Sequence, residues 1–148
     1  MKGYLNNPSA TEDMIDNDNW LHSGDIGKAD DDGYLYVVDR VKELIKYKGL
    51  QVAPAELEGI IQSHPAVADV AVIPSPDEEA GEIPKAFVVV KPDATLTEDE
   101  VIGYVAERVS PQKKVRKVEF IDAIPKVPSG KILRRQLVER ERQSIDSQ

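Results

Sequence analysis

Two short and almost uninterrupted apolar runs constrain this chain most: residues 67–73, Val-Ala-Asp-Val-Ala-Val-Ile, and residues 86–90, Ala-Phe-Val-Val-Val. β-Branched residues dominate both. Neither run alternates polar with apolar, so each reads as a strand buried on both faces. Pro74-Ser75-Pro76 is expected to stop the first and Pro92 the second. A sheet covered on both faces needs helices, and three are legible. Pro54 opens one over residues 55–61, where its missing N–H costs nothing, and Leu57, Ile60 and Ile61 share a face. Thr97-Glu98-Asp99-Glu100 has the form of a capping box, and the helix behind it spaces Val101, Val105 and Val109 at i, i+4, i+8. Residues 132–142 read as a closing helix with an Arg135–Glu139 pair, reached through a Pro/Gly loop at 124–130. Val118-Glu119-Phe120-Ile121 is a third core strand. The order helix, strand, strand, helix, strand, helix is that of an α+β unit, a small central β-sheet with packed helices.

The first ~50 residues read differently, as an arm of loops and hairpins whose boundaries are good to a few residues. Asn6-Asn7-Pro8-Ser9 and Asp16-Asn17-Asp18-Asn19 are turn formers, with at most one helical turn over residues 10–15 between them. Asp31-Asp32-Gly33 marks a hairpin whose second strand is Tyr34-Leu35-Tyr36-Val37-Val38. A second hairpin is expected around Tyr47-Lys48-Gly49, pairing residues 43–46 with 50–52. The arm holds little apolar material and is expected to need a surface to lie on.

Composition narrows the function classes. The 148 residues suit one domain, or one with an appendage. No apolar run approaches a membrane span. Neither the start, residues 1–7, nor the end, Ile145-Asp146-Ser147-Gln148, carries a targeting pattern, and a cytoplasmic protein is expected. With no cysteine and only His22 and His64, far apart, a zinc site or thiol chemistry is not expected. The net charge of −8 is uneven: residues 1–39 hold nine acids and two lysines, whereas residues 111–142 hold ten Lys/Arg and four acids. The basic third suits either a polyanion such as a nucleotide or a solvated helix face.

Three local patterns carry candidate chemistry. In Trp20-Leu21-His22-Ser23-Gly24-Asp25, the Asp25 carboxylate can accept two hydroxyls, as from a ribose, or cap its own turn. Around the second hairpin, Lys42, Lys46 and Lys48 share parity and would share a face in an extended segment, with Arg40 nearby. Such a face suits a phosphate ligand, or solvent. Pro128-Ser129-Gly130-Lys131 is similar to the end of a phosphate-binding P-loop, but Pro125 stands where glycine is required and Ile132 where Ser or Thr is. What survives is a lysine on a glycine loop before a helix: a mobile point charge, or a surface lysine.

Taken in this order, the three patterns resemble the C-terminal part of the adenylate-forming superfamily, which includes acyl-CoA synthetases, aryl-CoA ligases and firefly-type luciferases. Residues 38–58, with Lys-Tyr-Lys-Gly-Leu-Gln-Val-Ala-Pro-Ala-Glu-Leu-Glu, are most similar to 4-coumarate–CoA ligases and luciferases. The resemblance covers the whole chain. It implies that residues 1–41 are the tail end of a large N-terminal adenylation domain and residues 42–148 a C-terminal lid. Asp25 then matches the ribose-binding aspartate and Arg40 an arginine that also reaches the nucleotide. Lys42 matches the hinge and contacts the nucleotide as well. Lys46 and Gln51 match residues brought to the adenylate for thioester formation, and Lys48 and Gly49 the segment beside the CoA channel. Lys131 matches the lysine that bridges carboxylate and α-phosphate during adenylation.

The implied reaction joins a small carboxylic acid to CoA through an acyl-adenylate, with ATP, AMP and CoA as substrates. Mg2+ would accompany ATP, held mainly by the N-terminal domain, which is not in this sequence; the chain alone is expected to be inactive. That domain and the acid are the expected partners, with no nucleic acid and no membrane span. Two other readings remain: a luciferase-like adenylating monooxygenase, and a non-catalytic module whose basic helix contacts nucleic acid or protein. With 5% aromatic residues, platforms for stacking single strands are few.

Overall fold

A computed structural model describes residues 1–146. Ser147 and Gln148, part of the chain end weighed above as an address, lie outside the described residues. In chain order the elements are α1 (Pro8–Met14), β1 (Asp25–Ala29), β2 (Leu35–Arg40), β3 (Ile45–Tyr47), β4 (Leu50–Val52), α2 (Pro54–Gln62), β5 (Val67–Asp77), β6 (Gly81–Val90), α3 (Glu98–Ala106), β7 (Lys117–Phe120) and α4 (Arg134–Asp146). The chain divides into two compact units, Met1–Lys42 and Glu43–Gln148.

In the second unit β6 is the central strand. β5 lies antiparallel along one edge. Along the other, β3 meets β6 at Tyr47↔Gly81 and β7 runs parallel to it over Lys85–Val88. The two apolar runs are buried on both faces, as their lack of alternation requires. Val70, Val72, Ala86 and Val88 point to Leu57 and Ile61 of α2 and to Val101 and Val105 of α3. Ala71, Ile73 and Phe87 point the other way, to Ile124 and to Leu137 of α4. The α+β reading therefore holds, and the capping box forms with both of its reciprocal bonds.

Pro74 and Pro76 do not end β5, which continues to Asp77. In antiparallel pairing only every second residue offers its N–H to the partner strand. Pro74 faces Pro84, at the other kind of position. Val72, two residues earlier, sends its N–H to Glu58 at 2.8 Å instead of to β6. Pro84 turns its carbonyl away from β5, where it accepts the N–H of Arg116 at 3.0 Å. Neither proline interrupts the ladder, and β6 correspondingly begins at Gly81, ahead of the apolar run. The closing helix starts at Arg134, because Ile132 is held in a bridge to Lys126.

The first unit is built from turns. Asn7 caps α1 by accepting the N–H of Ala10 at 3.1 Å, with Pro8 in the first turn, so α1 starts earlier than expected. Its acids fold back on their own backbone. Asp16 accepts N–H groups from Asp18 and Trp20 and meets His22 Nε2 at 2.9 Å. Asp30 accepts N–H groups from Asp32 and Tyr34 and the Tyr36 hydroxyl, organising the β1–β2 turn, where Gly33 takes φ +84°. Each carboxyl is held below its ordinary value of 3.8, Asp16 chiefly by the Trp20 N–H and Asp30 by that of Tyr34. Among its residues only Asp39 is buried.

Candidate functional site

Asp25 opens β1 and stands in register with Arg40 at the end of β2. The hairpin sets the carboxylate opposite the guanidinium, Nε to Oδ1 3.5 Å, with both side chains partly open to solvent. The Asp25 N–H donates to Ser23 Oγ at 3.3 Å, and its carboxylate meets Arg40. A carboxylate and an arginine so placed can accept two hydroxyls and meet an anion beside them. Arg40 is steadied from behind by the buried Asp39, whose Oδ1 accepts the Arg40 N–H at 2.7 Å.

In the second unit, Lys46 of β3 and Gln51 of β4 are direct register partners. Lys48 and Gly49 form the two-residue turn between them with φ +47° and +80°, both left-handed, as a tight hairpin requires. The shared face of Lys42, Lys46 and Lys48 does not form. Lys42 sits in a short 3-10 turn, Val41–Glu43, and Lys48 in the left-handed turn, so period-two spacing applies only to Lys46. The Lys46 N–H donates to Glu82 Oε2 at 2.7 Å, fixing the hairpin to the start of β6. The Lys48 ammonium pairs with Glu79, which raises its pKa above the ordinary lysine value, first through that hydrogen bond.

Lys131 lies on a second hairpin on the same unit. The N–H of Val127 donates to the Lys131 carbonyl at 3.0 Å, and that of Gly130, at φ +83°, to Val127 at 2.8 Å. The N–H of Leu133 donates to Pro125 at 2.8 Å, closing the base. The Lys131 side chain is exposed. Several other cations of residues 111–142 are ion-paired: Lys113 with Glu56, Lys126 with Asp69 and Arg140 with Glu119 across the fold, and Arg135 with Glu139 one turn along α4. The basic third is thus in part a set of ion pairs, and Lys131 stands outside them.

The structure therefore gathers the sequence candidates into three places: Asp25 with Arg40, Lys46 with Gln51 beside the Lys48-Gly49 turn, and Lys131 alone. Comparison with known proteins bears on what these places belong to. The sequence profile of the AMP-binding enzyme C-terminal domain matches residues 56–131. This chain belongs to that family.

The relatives of this AMP-binding C-terminal domain are consistent with one another. It is 61% identical over 137 residues to 4-coumarate–CoA ligase 5 of Oryza sativa subsp. japonica, covering 93% of this chain and 25% of that protein. It matches the structure of ATP-bound MatB from Rhodopseudomonas palustris with a TM-score of 0.88 and 33% identity, over 94% of this chain and 28% of that one. It also matches o-succinylbenzoate–CoA synthetase from Bacillus subtilis in complex with its acyl-adenylate intermediate, with a TM-score of 0.84 and 39% identity, over 93% and 28%. The chain spans about a quarter of the length of the curated relatives it matches.

Sequence reasoning missed the acids that bond to these residues, Glu79 to the Lys48 ammonium and Glu82 and Asp39 to the N–H groups of Lys46 and Arg40. Glu79, Glu82 and Asp39 sit beside residues that were named, but exposed-looking acids give no signal of a partner 31 or 36 positions away. It also missed a buried polar knot on the α4 face. Lys85 donates to Glu119 at 2.7 Å and to Glu141, and Ser75 Oγ donates to Glu141 at 2.7 Å. Burial pushes the Glu141 carboxyl up, but the bonds from Lys85 and Ser75 outweigh it and leave it lowered. Among the described residues no group of three His, Asp or Glu side chains is placed to hold a metal ion, and no helix is long and apolar enough to cross a membrane.

Proposed function

We propose that this chain is the lid-bearing C-terminal part of an ATP-dependent acyl- or aryl-CoA ligase of 4-coumarate–CoA ligase type. The reaction is carboxylate plus ATP to acyl-adenylate and pyrophosphate, followed by displacement of AMP by CoA. The observation that carries this reading is the division of the chain between Lys42 and Glu43, with both candidate faces on one side of it. Residues 46–51 and Lys131 ride on the second unit; Asp25 and Arg40 stay with the first.

In this reading residues 1–41 complete the adenylation domain, where Asp25 takes the ribose hydroxyls and Arg40 the nucleotide. Lys42 is the pivot. In the first half-reaction the exposed Lys131 ammonium reaches the carboxylate and the α-phosphate, where two anions must meet. A fixed cation where charge develops offers what mobile water does not. In the second, rotation replaces Lys131 with Lys46 and Gln51, and the Lys48-Gly49 turn faces the CoA thiol. This is hinge motion in which one body serves two chemical steps. Mg2+ would travel with ATP on the adenylation domain. The uncovered apolar side chains of the first unit, among them Leu5, Trp20, Leu35 and Val37, would be covered by that domain, in a cytoplasmic enzyme.

The test joins this chain to the adenylation domain of a 4-coumarate–CoA ligase and assays the half-reactions separately. Lys131→Ala should slow pyrophosphate exchange by about 10²–10³, the scale of one lost electrostatic contact to a transition state, and spare thioester formation from supplied acyl-AMP. Lys42→Pro should do the reverse. The 148-residue chain alone should release no pyrophosphate. Equal damage to both half-reactions in both variants would sink the two-face reading.

A further inference from the structure

Arg134, the first residue of α4, lies three positions beyond Lys131, and its guanidinium bridges two carboxylates. Its Nη2 donates to both oxygens of Glu58 on α2 at 2.7 Å. Its Nη1 meets Glu43 Oε2 at 2.9 Å. The side chains of Arg134, Glu58 and Glu43 are 18, 14 and 26% exposed, so the cluster is largely withdrawn from water. Glu58 Oε1 also accepts the N–H of Val72 on β5. Arg134 Nε is buried without a hydrogen-bond partner, so the guanidinium takes its orientation from the two carboxylates.

One guanidinium bridges two carboxylates here, and the three side chains are partly desolvated. An aliphatic side chain would fill such a site at lower cost if packing were its only purpose. What a guanidinium adds is a planar fork that holds two carboxylates in a set geometry, which an ammonium does not. Glu43 is the first residue of the second unit, immediately after Lys42. Glu58 is fixed to the sheet edge through Val72. Arg134 is the base of the hairpin that presents Lys131.

We propose that Arg134 is a positioning residue: it clamps the chain just past the pivot to the base of the Lys131 hairpin, so that pivot and lysine turn as one body. This rests on the two-face reading above. The other face does not depend on the clamp. Residues 46–51 follow Glu43 directly along the chain and are fixed to β6 by Tyr47↔Gly81 and by Glu82. Breaking the clamp should therefore loosen Lys131 and leave Lys46 and Gln51 in place.

The experiment uses Arg134→Met, Arg134→Lys and Glu43→Gln, with the exposed Arg135→Ala as control. In the joined enzyme, Arg134→Met should lower kcat for pyrophosphate exchange about ten- to a hundredfold, the scale of an ångström of misplacement, with KM for ATP unchanged. Thioester formation from supplied acyl-AMP should stay within about twofold. Arg134→Lys should recover little, because it keeps the charge and loses the fork. Glu43→Gln should show the same asymmetry. On the 148-residue chain itself, both Arg134→Met and Glu43→Gln should speed amide hydrogen exchange at residues 126–133. Equal loss in the two half-reactions, or unchanged exchange at 126–133 in Glu43→Gln, overturns the clamp. If Lys131→Ala leaves adenylation intact, the functional reading fails, and the exchange result still decides the clamp.

Discussion

Both units present hairpins with charged residues in register, yet they are held together by different physics. Glu43–Gln148 closes two apolar clusters around a central sheet, with Phe87, Leu57, Ile61 and Val105 fully buried. Met1–Lys42 buries no apolar side chain; Leu5 is 92% exposed, Leu35 81% and Val37 74%. Its order comes from Asp16, Asp30 and Asn7 satisfying nearby backbone N–H groups. Burial removes water over large areas and is cooperative. Turn bonds between exposed groups compete with water and contribute little each. The candidate residues divide along the same line. Asp25 and Arg40 sit on the locally organised unit, and the residues that would move sit on the one with its own core.

The sharpest way to break this comparison is to damage the core. Phe87→Ala should cost about 3–5 kcal/mol, the usual range for a large aromatic truncated in a packed interior. Urea unfolding followed by circular dichroism measures it. A loss under ~1 kcal/mol would mean that the second unit is not organised around the β6 strand after all.

A smaller effect is expected at the Lys85–Glu141 pair, which lies at the margin of the same core. Lys85→Met leaves Glu141 buried with Ser75 as its hydrogen-bond partner and the charge of Lys117 nearby, and should cost about 3 kcal/mol at neutral pH. The pH dependence gives the sign. The folded Glu141 carboxyl is lowered from 4.5, so its contribution is present above that value and lost as pH falls through the folded pKa. The Lys85 ammonium is raised from 10.5 despite its burial, because Glu119 and Glu141 bond to it. Its contribution is present below that value and lost as pH rises through the folded pKa. In Lys85→Met the Glu141 carboxyl keeps its burial but loses the bond and charge of Lys85, with Ser75 and Lys117 left to lower it, so the gap to the parent chain should narrow as pH falls through the carboxylate range. A gap constant from pH 7 to 3 would show that the pair does not titrate with folding.

The fold of the second unit was legible because hydrophobic burial leaves a pattern in the chain. Continuous runs announced the doubly covered strands, and the Thr97–Glu100 box announced the start of α3 to the residue, although the helix ends at Ala106 and does not reach Val109. What proved illegible was geometry that depends on a partner. Whether Pro74 stops a strand depends on which way Pro84 faces. Whether lysines 42, 46 and 48 share a face depends on a left-handed Lys48. The site was legible as residue types in order, from Asp25 to Lys131. The acids around it were not, because Glu79, Glu58 and Glu43 meet their cations, and Glu82 the Lys46 N–H, only through the tertiary fold. Arg134 shows the limit best: in the sequence it was one more cation in a basic stretch, and only Glu43 and Glu58 give it a direction.

The smallest expected effect tests the other half of the comparison. Leu35 lies on β2 with four-fifths of its surface in water, so Leu35→Ser removes almost no buried area. On the 148-residue chain the change in unfolding free energy should stay within about 0.5 kcal/mol, as for surface positions generally. The β1–β2 turn should survive, because the Asp30 carboxylate and Gly33 organise it rather than apolar contact. On a chain joined to an adenylation domain the expectation changes. If that domain covers Leu35, the same substitution exposes a gap in an apolar interface and should lower the melting temperature of the joined protein. A loss above ~1 kcal/mol on the chain alone would mean that the first unit has a core of its own, and the contrast between a packed unit and a turn-built arm would fail. No loss in either setting would leave the contrast standing but remove the reason for placing a partner domain on β2.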